Sequence, residues 1–160
     1  MFYIEELKQQ HVEAAKGVIR NVWKEYFGDD SRTDVRTHFD SHQSLRNLDD
    51  GASLFVSNGG AFLVLMADSD VIGTGGFIRL ADECCEFKHI FLLKAFRRRG
   101  LGELLVSSLI NRARKKEYKK VVLGTSKRFR EAHSLYQKLG FRDSDKLDPQ
   151  NLTDYFELSL

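Results

Sequence analysis

Three arginines followed by Gly-Leu-Gly, Arg97-Arg98-Arg99-Gly100-Leu101-Gly102, form the string in this 160-residue chain best suited to chemistry. They stand between an apolar stretch that reads as a strand, Cys84–Leu93, and a helical pattern that opens at Arg99. A helix start carries N–H groups without helical partners and a partial positive charge. Glycine lets a ligand come close to such a backbone. Together they make a cradle for an anion, and the arginines add charge around it. A tight turn with no ligand is the other meaning of the same string. Two familiar phosphate motifs are absent. No Gly-x-x-x-x-Gly-Lys-Ser/Thr run occurs, and Gly100-Leu101-Gly102 continues to Leu105 where a dinucleotide fingerprint needs its third glycine. Kinase, NTPase and dinucleotide-binding readings lose their support.

Other reactive residue types form weaker patterns. Cys84 and Cys85 are adjacent, cannot staple a loop, and read as core rather than as nucleophiles. His38 and His42 have metal-ligand spacing, but no Cys or third His lies near them in sequence. A solvated pair is the expectation, and no metal is expected. Charge is uneven. Residues 94–130 hold thirteen Lys or Arg against Glu103 and Glu117, inside a chain of net charge +2. Such a block suits a polyanionic ligand, while its Arg112–Lys120 part also reads as a solvated helix face. Nucleic acid is the weaker partner, because Tyr118 is the sole aromatic there and no helix-turn-helix or zinc pattern is present.

The elements that must position the loop follow from periodicity. Phe2–Leu7 reads as a strand and Gln10–Phe27 as an amphipathic helix ended at Gly28. Thr33–Leu48 is a more polar helix, broken at Asp49-Asp50-Gly51. Ala61–Ala67 and Val71–Leu80 form a hairpin across Asp68-Ser69-Asp70. After Cys84–Leu93 come the Arg99–Lys116 helix, a buried strand Val121–Thr125, and a helix Phe129–Leu139 stopped by Gly140. Phe141 opens a short strand and Tyr155–Leu160 is the last. Strand parity groups His89 with Phe87 and Phe91. The order implies a mixed sheet covered by helices, with Cys84–Leu93 and Val121–Thr125 parallel. Hydrophobic residues at 42% and charged residues at 30% fit one globular domain over 1–160. No apolar run approaches the ~18 residues of a membrane span. The acidic start and the absence of a disulfide framework make the cytoplasm the expected location, with no membrane partner.

Arg97-x-x-Gly100-x-Gly102 resembles the Arg/Gln-x-x-Gly-x-Gly/Ala signature of the GNAT superfamily of acetyl-CoA-dependent N-acetyltransferases. Upstream, Glu86-Phe87-Lys88-His89-Ile90-Phe91-Leu92-Leu93 is similar to the family's fourth strand. Downstream, Leu135-Tyr136-Gln137-Lys138-Leu139-Gly140-Phe141 is similar to its Leu-Tyr-x-Lys-x-Gly-Phe segment. The resemblance implies an α/β (α+β) fold: a mixed, mainly antiparallel seven-stranded sheet flanked by helices, with a splayed central strand pair. It implies acetyl-CoA as co-substrate, bound by Phe91, Leu92 and Leu93 through their backbones, by Arg97, Arg98, Arg99, Gly100, Leu101, Gly102 and Glu103 at the loop, and by Tyr136. Glu103 also suits a helix start simply as a first-turn acid. Tyr136 resembles the family's general acid, the N–H of Leu92 its oxyanion donor, and Glu86 the catalytic base of the histone-type branch. His89 is a weaker candidate base and otherwise a wall residue. Where many relatives carry a cofactor-contacting Asn, this chain has Phe129. The implied reaction is acetyl transfer to a small-molecule or peptide primary amine by direct attack. A silent acyl-CoA-binding module and, further behind, a nucleic-acid binder are the alternatives. Tyr26, Phe27, His38 and Tyr155 are available on the acceptor side, and both monomer and homodimer remain open.

Overall fold

The computed structural model describes residues 1–28 and 45–160. Its seven strands are β1 (Phe2–Glu6), β2 (Ala61–Ala67), β3 (Asp70–Ala81), β4 (Cys84–Leu92), β5 (Lys120–Ser126), β6 (Arg142–Asp143) and β7 (Thr153–Ser159). The helices that pack on them are α1 (Val12–Phe27), α2 (Ser53–Ser57), α3 (Leu101–Lys115) and α4 (Arg130–Lys138). The sheet runs β1-β2-β3-β4-β5-β7-β6, and every neighbouring pair is antiparallel except β4 and β5. This is the mixed, mainly antiparallel sheet that the element order implies. His38, His42 and most of the helix expected over Thr33–Leu48 lie outside the described residues.

Two cores cover the two faces. On one face, α1 buries the stripe Val12, Ala15, Val18, Ile19, Val22 and Trp23, the three-and-four spacing read in the sequence. Each of its Val and Ile side chains contributes about 1.5–3 kcal/mol on leaving water. On the other face, α3 buries Val106, Leu109 and Ala113 against Phe77, Phe87 and Val121. Because both faces are covered, β2 is buried at six successive positions, Ala61–Met66, rather than alternating. The short helix α2, which periodicity does not reveal, seats Phe55 in the α1 core.

The functional geometry begins where β4 and β5 stop pairing. Their parallel ladder runs from Cys84↔Lys120 to Phe87↔Leu123. Beyond it, β4 stays with β3 through Leu92, and β5 stays with β7 through Ser126. The two central strands therefore diverge and leave an opening in the sheet.

A bulge sits at the start of that opening. Lys88 pairs with Gly76 and Phe91 with Thr74, so His89 and Ile90 together face the single residue Gly75. His89 takes φ 57°, a left-handed conformation that costs a residue with a side chain roughly 1–2 kcal/mol. The extra residue corrects the strand-parity grouping: Phe87 packs in the α3 core, whereas Phe91 packs in the α1 core. His89 turns to the α1 side, edge-on to Phe55 at 5.8 Å.

Burial, with Lys88 nearby, pushes the His89 imidazole down from 6.5 to about 3. In the unfolded chain it titrates near its ordinary value, so between those limits the unfolded state binds the extra proton. Its contribution to stability is complete above about pH 6.5 and declines as the medium is acidified towards pH 3. Urea unfolding is expected to show wild-type stability falling more steeply between about pH 6.5 and 4 than that of His89→Gln. Equal slopes would mean that the imidazole is already protonated in the folded protein.

Candidate active site

The opening between β4 and β5 contains a cavity of about 530 Å³. It reaches both faces of the sheet. Val22 and Tyr26 of α1 line it on one side, and Leu105, Leu135 and Tyr136 on the other. Ile90, Phe91 and Leu92 of β4 and Thr125 of β5 form its walls, and Arg97, Arg98, Gly100 and Gly102 lie at one end.

That end is the start of α3. Arg98 and Gly100 both have positive φ, 62° and 76°, and Gly100 is the cap residue with no side-chain cap bond. The first helical bond runs from Leu104 N–H to the Gly100 carbonyl at 3.1 Å. The N–H groups of Leu101, Gly102 and Glu103 precede it and point out of the helix end. A Cβ on Gly102 would stand 3.1 Å from Leu135 Cδ2, so the missing side chain lets α3 approach α4 beside the cavity. The site fits a chain-like anion, with donors at one end and an apolar slot beyond.

The arginine side chains divide their tasks. Arg97 is turned away from the loop: its two Nη atoms donate to Glu25 at 2.6 and 2.9 Å and its Nε donates to the Leu92 carbonyl at 3.0 Å. Its guanidinium also lies 5.5 Å from the Tyr26 ring centre. Arg99 lies over Phe2 and Phe96. Arg98 is exposed at the cavity mouth, 3.5 Å from Glu131. Leu101 is buried, and Glu103 pairs with Lys138 at 2.7 Å across the mouth. The remaining basic run, Arg114 to Lys116, falls at the far end of α3, about 22 Å away by helical rise. There it suits the negative end of the helix.

Backbone direction separates the three strand residues. Leu93 N–H donates to the Ile72 carbonyl at 3.0 Å, and the Leu93 carbonyl accepts from Phe96 N–H at 3.0 Å. Amides alternate sides along a strand, so Leu92 N–H points away from β3 and into the opening. The same alternation turns the Phe91 backbone groups to Thr74, its partner on β3.

Tyr136 is buried, packs against Phe141 and Phe156, and lines the cavity. Burial pushes its phenol above the usual tyrosine range, which keeps the proton on it. Glu86 lies elsewhere, in the still-paired part of β4 opposite Val122 and Ile78. Its Oε1 is 3.1 Å from Lys88 Nζ, and it is not among the cavity walls. Burial pushes the Cys85 thiol up to about 12, which removes thiolate chemistry there.

Phe129 holds a place the motifs did not explain. It meets Tyr26 edge-on at 4.6 Å and also contacts Trp23, Phe27 and Phe91. This aromatic wall closes the α1 side of the opening. Val22, Leu105 and Leu135 were not anticipated as walls either; in sequence Val22 and Leu105 are only core positions of their helices, and Leu135 enters only as part of the segment around Tyr136. Among the described residues, no three His, Cys, Asp or Glu side chains gather as a metal site, and no helix is long and apolar enough to cross a membrane.

Comparison with known proteins agrees with this arrangement. The chain is 31% identical over 102 residues to the uncharacterized N-acetyltransferase YjgM of Escherichia coli, covering 62% of this chain and 61% of that protein. It is 30% identical over 95 residues to N-acetyltransferase 8 of Homo sapiens, covering 56% of this chain and 42% of that protein. These matches span about three-fifths or less of the curated relatives. Among solved structures, an acetyltransferase of the GNAT family from Staphylococcus aureus superposes with a TM-score of 0.80 at 22% identity, covering 99% of both chains. The PaiA N-acetyltransferase of Thermoplasma acidophilum, in complex with coenzyme A, has a TM-score of 0.76 at 20% identity, covering 100% of this chain and 99% of that one. The family model for the acetyltransferase (GNAT) family matches residues 17–141, most of the length, and the chain belongs to that family.

Proposed function

We propose that this protein transfers an acetyl group from acetyl-CoA to a primary amine by direct attack in a ternary complex. The observation that carries the reading is the opening itself. An apolar cavity lies between diverged strands, with the uncapped start of α3 at one end and the Leu92 amide on its wall. Acetyl-CoA supplies an activated thioester. The N–H groups around Gly100 to Glu103 are suited to its diphosphate, with Arg98 as the nearest exposed cation. Leu92 N–H is placed to meet the oxyanion as the C–N bond forms. Tyr136, holding its proton, is suited to protonate sulfur as the C–S bond breaks. Glu86, whose Oε2 lies outside its pair with Lys88, is the candidate to take the amine proton. The Lys88 pair and the absence of Glu86 from the cavity walls favour one second reading, an acyl-CoA-binding module without turnover.

Binding and chemistry are separately testable. At about a hundred times Kd, acetyl-CoA stabilises the folded state by about 2.7 kcal/mol, which is expected to raise Tm by roughly 5–10 °C. No shift and no binding heat would remove both readings. In an amine panel followed by thiol release, wild type is expected to turn over, whereas binding without turnover would favour the silent module. Tyr136→Phe is expected to lower kcat about 100-fold at unchanged acetyl-CoA Kd. An unaltered kcat would exclude Tyr136 as the acid.

A further inference from the structure

The bulge that starts the opening is held from outside the cavity. Asn47 Nδ2 lies 2.9 Å from His89 Nε2, and Thr74 Oγ1 donates to the His89 carbonyl at 2.8 Å. Phe55 stands edge-on to the imidazole ring. Three parts of the chain thus fix one residue that has a side chain and a φ of 57°. With the imidazole neutral, Nε2 accepts from the Asn47 amide and Nδ1 carries the ring proton. Asn47 itself is not among the cavity walls.

The register shows what this anchorage controls. The extra residue places Leu92 opposite Gly73. If His89 relaxed to an ordinary strand conformation and the bulge were lost, the ladder would slip by one residue. Phe91 N–H would then face the opening, Leu92 N–H would turn to β3, and the two side chains would exchange faces.

We propose that Asn47 is a positioning residue for acetyl transfer: through His89 it holds the bulge that aims the Leu92 amide at the developing oxyanion. The inference rests on the acetyltransferase reading above. A donor that acts only in the transition state affects kcat and leaves the affinity for acetyl-CoA intact. This separates it from a residue that merely supports the fold.

The test compares the full-length wild type with Asn47→Ala. It measures kcat with the best amine of the panel, acetyl-CoA Kd by calorimetry, and hydrogen exchange of the Phe91 and Leu92 amides by NMR. A fall in kcat of about tenfold or more is expected, with Kd within about twofold, slower exchange at Leu92 as its N–H turns to β3, and faster exchange at Phe91. A kcat within about twofold of wild type, or kcat and Kd worsening together in step with Tm, would overturn the proposal. If Asn47→Ala does not stay folded at the assay temperature, Thr74→Val enters the same measurements under the same criteria, since it keeps the shape and removes the donor to His89. Should wild type acetylate nothing, the acetyltransferase reading fails by itself. Exchange then decides the anchorage: slower exchange at Leu92 with faster exchange at Phe91 in the variant supports it, and unchanged exchange at both overturns it.

Discussion

Two parallel strands that separate after Phe87 and Leu123 leave main-chain groups facing a gap, and backbone polar groups in a protein interior need partners. Much of the molecule can be understood as keeping that gap from closing. β4 is tied outward to β3, and β5 is tied outward to β7, so neither strand can swing back without breaking a ladder. Phe129, Tyr26 and Phe91 fill one side of the gap with aromatic rings. α3 and α4 meet closely at Gly102 and Leu135 on the other side. An extended ligand with amide groups of its own fits such a gap better than a compact one does, because it replaces a missing strand.

The bulge at His89 gives the gap its chemical direction. Without it, β4 would be an ordinary strand whose amides and side chains alternate without interruption. With it, one core receives Phe87 and the other receives Phe91, and a main-chain donor faces the slot at Leu92. The cost is a left-handed histidine, offset by hydrogen bonds from Thr74 and Asn47. Local strain concentrated beside a reacting centre and supported from several elements is a common pattern in folded proteins.

Most of the architecture was legible in the amino-acid order, for reasons that also set the limit. Apolar spacing exposes α1 and α3, and the arginine–glycine string marks the turn between β4 and α3, because these are local signals. Period-two counting fails at His89, since an inserted residue leaves no trace in composition. The commitment of Arg97 to Glu25 joins residues 72 apart and reverses the simplest view of a phosphate-facing arginine. Phe129 was visible as a departure from the family's usual asparagine, but its ring partners on α1 were not. Glu86 was read from its resemblance to the base of the histone-type branch, and the structure sets it beside Lys88 on still-paired backbone.

The Glu25–Arg97 pair has an electrical consequence for the mouth of the slot. A guanidinium and a carboxylate that neutralise each other contribute little field at a distance, so the arginine in the signature adds almost nothing to long-range attraction of a polyphosphate. What remains nearest the helix end is its fixed dipole, Arg98 with its partner Glu131, and Arg99 over Phe2 and Phe96. Dipolar hydrogen bonds act at contact range, where dissolved ions hardly screen them. The donors at this mouth therefore favour a ligand that fits closely.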